Sequence, residues 1–341
     1  MHRIKWVDVS KGITIILIVF GHVLRVGYVR DVLYCFHVPV FFFLSGITAT
    51  ETFSVKRIVS DTKRILVPYY AFGAISIAVY AVLGAVAASK LDTGETSSIW
   101  QNVLSLLYGS SILPFNAPLW FLPCLFATKT LHPLLYRLVR GKHWLLIGVA
   151  FAGSIVGFLY SKANLIALPF SFELLLKLYP FFLIGRFLSG FLTDLGQKFS
   201  GKRRALLIAS LLLMMTVLLG GIAPPVNYTN SDFPIPSLFY LIACIGGGGV
   251  YFLSVYLENV KWISWLGQNT MPILLMHKFP IVLLQVAGPF AGWISRPDSL
   301  SGLVIGAIPV TAISIIASLV VGKIIECFFP ILIGTRKYKH K

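Results

Sequence analysis

The stretch "WVDVSKGITIILIVFGHVLRVGYVRDVLYCFHVPVFFFLSG", residues 6–46, holds two long apolar runs joined by a short polar turn. Each run can cross a hydrocarbon core of ~30 Å as a helix, and the short turn sends the second run back beside the first. Outward from this hairpin the same pattern recurs to the end of the chain. The 341 residues are 57% hydrophobic and only 12% charged, with a mean hydropathy of +0.84. Soluble domains are about half apolar and a quarter charged, so this balance excludes them. Length alone suggests two soluble domains, but the spacing of the apolar runs overrides that expectation.

Ten spans are placed near 12–29, 32–50, 66–88, 118–137, 143–160, 169–189, 205–222, 236–257, 270–292 and 301–328. The fold expected is an all-α integral membrane protein with about ten transmembrane helices. It forms one transmembrane domain over 1–341, with no separate soluble domain. Residues 1–28 have a basic start and an apolar run but no clear small-residue cleavage site. His22 and Arg25 interrupt the run, so an uncleaved first span is expected rather than a signal peptide.

The formal net charge of +17 resembles a nucleic-acid footprint until its distribution is read. With the N-terminus cytoplasmic, that side holds Arg3, Lys5, Lys11, Lys56, Arg57, Lys63, Arg64, Arg137, Arg140 and Lys142. It also holds Lys198, Lys202, Arg203, Arg204, Lys261 and the tail residues Arg336, Lys337, Lys339 and Lys341. The opposite side keeps Arg30, Lys90, Lys162 and Arg296. This is the positive-inside asymmetry. It places both termini in the cytoplasm of a multi-pass protein of the cell inner membrane. The basic residues then meet anionic lipid, and no nucleic-acid partner is expected.

Polar residues at membrane depth are functional candidates. His22 lies in the first span and His37 early in the second, so the short turn sets both imidazoles at similar depth on neighbouring helices. Lys11 precedes His22 by 11 residues, which puts the two side chains within about 20° of each other and ~16 Å apart along a helix. Asp8 is close to the same stripe, and Ile15 and Ile18 lie between. An anionic head at Lys11 with a reactive end near His22 is the shape of an acyl-coenzyme A arm; Lys11 alone would equally be a topology anchor. Lys56, Arg57, Lys63 and Arg64 form a cytoplasmic cluster able to bind phosphates or simply to anchor the helices. Pro39 loosens the second helix and frees a carbonyl that needs a partner inside the protein.

Other features are less pointed. Cys35, Cys124, Cys244 and Cys327 show no metal-like or redox-like pairing, and no metal site is expected. In the connection 89–116, Trp100, Leu104, Leu107 and Tyr108 recur at helical spacing, as in an interfacial helix. It would cover a cavity or serve as a connector with one wet face. "GGGG" at 246–249 suits either close helix packing or an unwound stretch. No internal repeat of the inverted-transporter kind is visible.

Six blocks carry a family resemblance: "WVDVSKGITIILIVFGH" (6–22), "FHVPVFFFLSG" (36–46), "KRILVPYY" (63–70), "PLWFLPCLF" (118–126), "YPFFLIGRFL" (179–188) and "WLGQNTMPILLMHKFPI" (265–281). In order, they resemble the acyltransferase family 3 membrane proteins, with a flavour of the fucose 4-O-acetylase-like group. The basic residue, ten-residue spacer and histidine of the first helix match the family's pattern, with Lys11 where many members have Arg. The resemblance implies an O-acetyltransferase that takes acetyl from cytoplasmic acetyl-CoA, a cosubstrate rather than a tightly bound cofactor. The acceptor implied is a sugar hydroxyl of a cell-surface polysaccharide or its lipid-linked precursor. The family's essential histidine falls on His22 and its basic partner on Lys11. The cytoplasmic basic motif has its nearest counterpart in Lys63 and Arg64.

Two chemical routes follow from such a histidine. His22 acts as general base on the acceptor hydroxyl, or it takes the acyl group itself and passes it on. His37 would orient His22 or donate to the developing oxyanion. Glu173 is the acid placed to polarise a sugar hydroxyl or orient a histidine, though it would also serve as a helix cap. Asn116, Trp120 and His277 are candidates on the acceptor side, Trp120 as a stacking ring or an interfacial anchor. A transporter or flippase for a glycan precursor, its histidines relaying protons, is the competing class. A sensor or scaffold without activity is a third. Only the enzyme consumes acetyl-CoA.

Overall fold

The computed structural model describes residues 4–24, 26–91, 98–109, 113, 116–163, 165–287, 299 and 302–335. Among them there is no β-strand, and Asn227 and Asp232 form an isolated antiparallel bridge. The helices are α1 (Lys5–Val23), α2 (Tyr28–Ile47), α3 (Val55–Asp61), α4 (Val67–Leu91), α5 (Ile99–Tyr108), α6 (Phe121–Leu138) and α7 (His143–Lys162). They continue as α8 (Phe172–Phe199), α9 (Arg203–Gly220), α10 (Pro236–Tyr256), α11 (Lys261–Gln268), α12 (Thr270–Met276), α13 (Lys278–Ala287) and α14 (Ile308–Phe328). A π-helical turn, Thr62–Leu66, joins α3 to α4, and another, Gly302–Ala307, leads into α14.

Eight helical stretches among the described residues are long and apolar enough to cross a bilayer: Lys5–Val23, Tyr28–Ile47, Val55–Val82, His143–Lys162, Pro169–Phe199, Arg203–Gly220, Pro236–Tyr256 and Gly302–Phe328. The protein is an all-α integral membrane protein. Two of the ten expected spans do not meet that measure. Near 118–137, α6 is a single helix but carries Lys129, His132 and Arg137 within its length. Near 270–292 the chain is broken into α12 and α13 at His277. The end of that span at 288–292 and the start of the next at 301 lie outside the described residues. So do Arg3, Arg25, Arg296, Arg336, Lys337, Lys339, Lys341 and parts of the 89–116 connection.

Helix ends depart from the apolar runs for identifiable reasons. The first helix begins at Lys5, not near residue 12, because Trp6, Val7, Val9 and Ser10 are already buried. Ser10 Oγ donates to Ser254 Oγ of α10 at 2.7 Å. It stops at Val23, before a turn in which Gly27 has φ 115°, a region glycine enters at little cost. His22 therefore sits in the last turn of α1, not midway along a longer span. At the other extreme, α8 runs ten residues past 189, through the polar positions Asp194, Gln197 and Lys198. Leu192 and Gly196, four apart on one face, are buried there, and Tyr251 Oη donates to the Leu192 carbonyl at 2.6 Å.

The "GGGG" stretch is continuous helix in α10. A Cβ on Gly246 would lie 2.7 Å from the Phe36 ring and one on Gly249 2.8 Å from Leu213, so close packing, not unwinding, explains these glycines. The expected helix at 99–108 is present as α5. It is capped by Ser98 and Gln101, and Trp100, Leu104, Leu107 and Tyr108 form an exposed apolar face.

The hairpin of α1 and α2 sits at the middle of the bundle. Helices α2, α10, α11 and α14 pack against α1, while α8 and α10 pack against α2. The α2–α8 seam is close-packed: a methyl added to Gly46 would run into the Phe182 carbonyl, and one on Gly185 into the Phe43 carbonyl. Without a hydrophobic drive between helices in lipid, such backbone approach is a main source of association. Gly46→Leu and Gly185→Leu should each cost about 1–3 kcal/mol or more through overpacking, lowering the thermal midpoint of the purified protein in detergent. Gly148→Leu, which meets nothing within 4 Å, should leave the midpoint in place.

Candidate active site

A cavity of about 380 Å³ follows the face of α1 that carries Lys11, Ile15, Ile18 and His22. The helical stripe expected from their spacing is thus one wall of a single space. The opposite walls come from α2 (Tyr34, His37, Phe41, Ser45), from Trp120 and Phe121 before and within α6, and from Thr270, Leu274 and Lys278. Asn227, Tyr228 and Thr229 close the His22 end. Thr229 is exposed, so the cavity is not sealed there.

Around His22 the polar groups are dense. Its Nδ1 lies 2.9 Å from Tyr34 Oη, and its ring centroid is 5.3 Å from that of His277. The Tyr34 ring packs at 4.9 Å against His37 and lies 4.1 Å beneath the Arg30 guanidinium. Arg30 is also paired with Asp31 at 2.8 Å. Tyr228 donates from Oη to the Tyr34 carbonyl at 3.0 Å, and its ring stacks on Trp120 at 5.6 Å with planes 18° apart.

Pro39 takes the helical donor from the Cys35 carbonyl; the carbonyls of Leu33 and Tyr34, two and one residues earlier, accept from side chains. His37 Nδ1 donates to the Leu33 carbonyl at 2.5 Å, beside the bond from Tyr228 to Tyr34. A carbonyl only accepts, so the hydrogen of neutral His37 is on Nδ1 and its Nε2 carries a lone pair. This corrects the expectation that His37 donates to an oxyanion. The same reasoning applies to His277, whose Nδ1 donates to the carbonyls of Ile273 and Leu274 at 2.8 and 3.1 Å.

The other expected residues divide into those the cavity uses and those it does not. Lys11, His22, His37 and Trp120 line it, and His277 backs His22. Asn116 does not: its Nδ2 donates to the Leu275 carbonyl at 2.8 Å and to Ser76 Oγ at 3.3 Å, bracing the broken helix beside His277. Glu173 is buried in the first turn of α8, where a carboxylate oxygen accepts the Leu168 N–H at 3.0 Å. It ties the loop before α8 to the helix and lies outside the cavity lining. Asp8 is one turn below Lys11 on α1 and outside the cavity lining. Arg57 and Arg64 line a second chamber of about 370 Å³ with Asp61, Lys129 and His132. Lys56, Lys63 and Arg64 border a third space of about 660 Å³ next to Phe328–Ile331. The second chamber begins at Thr48, one helical turn from Ser45 of the main cavity, and contains the Lys129–Asp61 ion pair of 3.0 Å.

Tyr34, Arg30, Lys278, Tyr228, Lys129 and His132 were not among the candidates. Tyr34 and Lys278 are legible in principle: Tyr34 stands three residues before His37 and Lys278 next to His277. Tyr228 lies in a Pro/Asn-rich connection whose composition signals a turn and nothing more. Among the described residues no group of three or more His, Cys, Asp and Glu side chains is placed to share a metal ion.

A helical membrane bundle with an imidazole-lined cavity along its central helix offers the buried polar interior that a membrane-embedded enzyme or a transport path needs. The sequence matches the family model described as an acyltransferase domain over residues 4–322. The chain belongs to acyltransferase family 3, and it is a membrane acyltransferase. Comparison with curated proteins and with solved structures gives no significant match.

Tyr34→Phe keeps the ring against His37 and Arg30 but takes the hydroxyl from His22. The acyl transfer rate should fall on the order of ten- to a hundred-fold, the scale on which orienting partners act, and the thermal midpoint should drop modestly, since leaving one buried partner unpaired costs about 1–3 kcal/mol.

Proposed function

We propose that this protein is an O-acetyltransferase of the cytoplasmic membrane, working as a single transmembrane unit with both termini in the cytoplasm. It moves acetyl from cytoplasmic acetyl-CoA to a sugar hydroxyl of a cell-surface polysaccharide or its lipid-linked precursor. The observation that carries the reading is that Lys11 and His22 line the two ends of one cavity along α1. Eleven residues of helix separate them by ~16 Å, which suits a pantetheine arm with its phosphates at the Lys11 end and its thioester at His22. Arg57, Arg64 and Lys129 border the chamber next to the Lys11 end and supply further cations for those phosphates.

His22 performs the proton chemistry. In the tautomer that donates Nδ1–H to Tyr34 Oη, its Nε2 lone pair takes the proton of an acceptor hydroxyl. The hydroxyl oxygen bonds to the thioester carbonyl carbon, and the C–S bond breaks as the tetrahedral intermediate collapses. The proton held on His22 then passes to the departing coenzyme A thiolate. Arg30 and Lys278, both at this end, oppose the negative charge that builds on the carbonyl oxygen. His37, with its Nε2 lone pair, accepts from the sugar and helps orient it. Trp120 and Tyr228 offer the aromatic surface on which a sugar ring packs.

Purified protein in lipid, given radiolabelled acetyl-CoA and an extract of envelope glycans, tests this directly. Label should enter glycan with wild type and fall by at least about a hundred-fold in His22→Ala. Transfer surviving that substitution would remove His22 from the mechanism. A well-folded wild type that neither binds nor consumes acetyl-CoA would sink the proposed donor.

A further inference from the structure

Lys177 lies on α8, away from the cavity lining, and is fully buried at 0% exposure. Its Nζ donates to Ser161 Oγ of α7 at 2.6 Å, to Ser231 Oγ at 2.7 Å and to the Ser231 carbonyl at 2.8 Å. The rings of Phe233 and Phe158 stand 4.5 and 5.2 Å from the nitrogen. An amino group at membrane depth is costly unless its hydrogens are met, and here three oxygens meet them. Two of those oxygens, and the nearer ring, belong to the connection between α9 and α10.

That connection is a compact hairpin. Asn227 and Asp232 exchange backbone hydrogen bonds of 2.9 and 2.8 Å, and Asn227 Oδ1 accepts from the amides of Thr229 and Asn230. Ser231 is held at φ 53°, a conformation that persists in non-glycine residues only where surroundings impose it. Lys177 grips the hairpin through Ser231. Four residues earlier in the same hairpin, Asn227, Tyr228 and Thr229 form the wall at the His22 end of the cavity. Tyr228 carries the connection from one side to the other: its ring packs on Phe233 at 5.2 Å and on Trp120 at 5.6 Å.

We propose that Lys177 is a positioning residue for acyl transfer: from α8 it clamps the 226–233 hairpin through Ser231 and thereby sets the acceptor-facing wall made by Asn227, Tyr228 and Thr229. The word acceptor rests on the function proposed above, whereas the clamp itself rests on the contacts alone. Lys177→Met keeps an unbranched, flexible stem of similar length that fills the same space and removes the donor, so it tests the clamp with the least change in packing.

Hydrogen–deuterium exchange of the full chain in lipid nanodiscs reads the clamp without any substrate. In Lys177→Met the amides of 226–233 should exchange on the order of ten-fold faster, while those of α1 and α2 stay as in wild type. Ser231→Ala loses one of its two acceptors and keeps the carbonyl, so its effect should be in the same place and smaller. In acetyl transfer, the half-saturating concentration of envelope polysaccharide should rise in both variants and that of acetyl-CoA should hold. Unchanged exchange in 226–233 would overturn the clamp. Acceleration spread through α1, α2 and α8 would reduce Lys177 to a structural residue. Faster hairpin exchange with unaltered acceptor dependence would overturn its positioning role. If wild type transfers no acetyl group, the function proposed above fails, and the exchange data still decide the clamp.

Discussion

The hydrogen bond between His22 and Tyr34 is the contact around which the cavity is assembled. It joins the last turn of α1 to the first turns of α2, across a connection of only a few residues. Tyr34 then spends every part of itself: hydroxyl on His22, one ring contact on His37 and another beneath Arg30, and backbone carbonyl on Tyr228. In lipid no water is at hand to satisfy polar groups, so each must find its partner in the protein. Most of the arrangement is satisfied internally, with His277 Nε2 and Asn116 Oδ1 left buried without a hydrogen-bond partner among the described residues.

Much of this was legible from residues 6–46. The apolar runs, the short turn and the 11-residue interval between Lys11 and His22 place a cation and an imidazole on one helical face, and the structure puts both on one cavity. What was not legible depends on contacts distant in sequence. Nothing local to Asn116 says that its amide braces the Leu275 carbonyl, and nothing local to Tyr228 says that its hydroxyl reaches α2. Helix ends were missed for the same reason. The polar residues of 5–11 and of 190–199 read as flanks, yet they are helical because one face of each is buried against α10 or α1. Glu173 shows the converse: an acid at membrane depth that looks chemical in sequence has its oxygen occupied by a backbone amide.

The cavity also explains why the bundle is regular in some places and broken in others. Where helices only pack, as along the α2–α8 seam, small residues bring the two backbones together. Where α12 gives way to α13 at His277, the Leu274 and Leu275 carbonyls accept from His277 and Asn116 and hold both in fixed orientations, while the Leu33 carbonyl of α2 holds His37.

The wall at the His22 end belongs to a connection rather than to a helix. Connections accept changes of length and sequence far more readily than the elements they join. The histidines and Lys11, by contrast, are held by the bundle. Two parts result: a chemical channel held in place by the helices and a facing supplied by a connection. Exchanging residues 226–233 among relatives would be a compact route to retargeting the enzyme, provided the new segment again presents oxygens to Lys177.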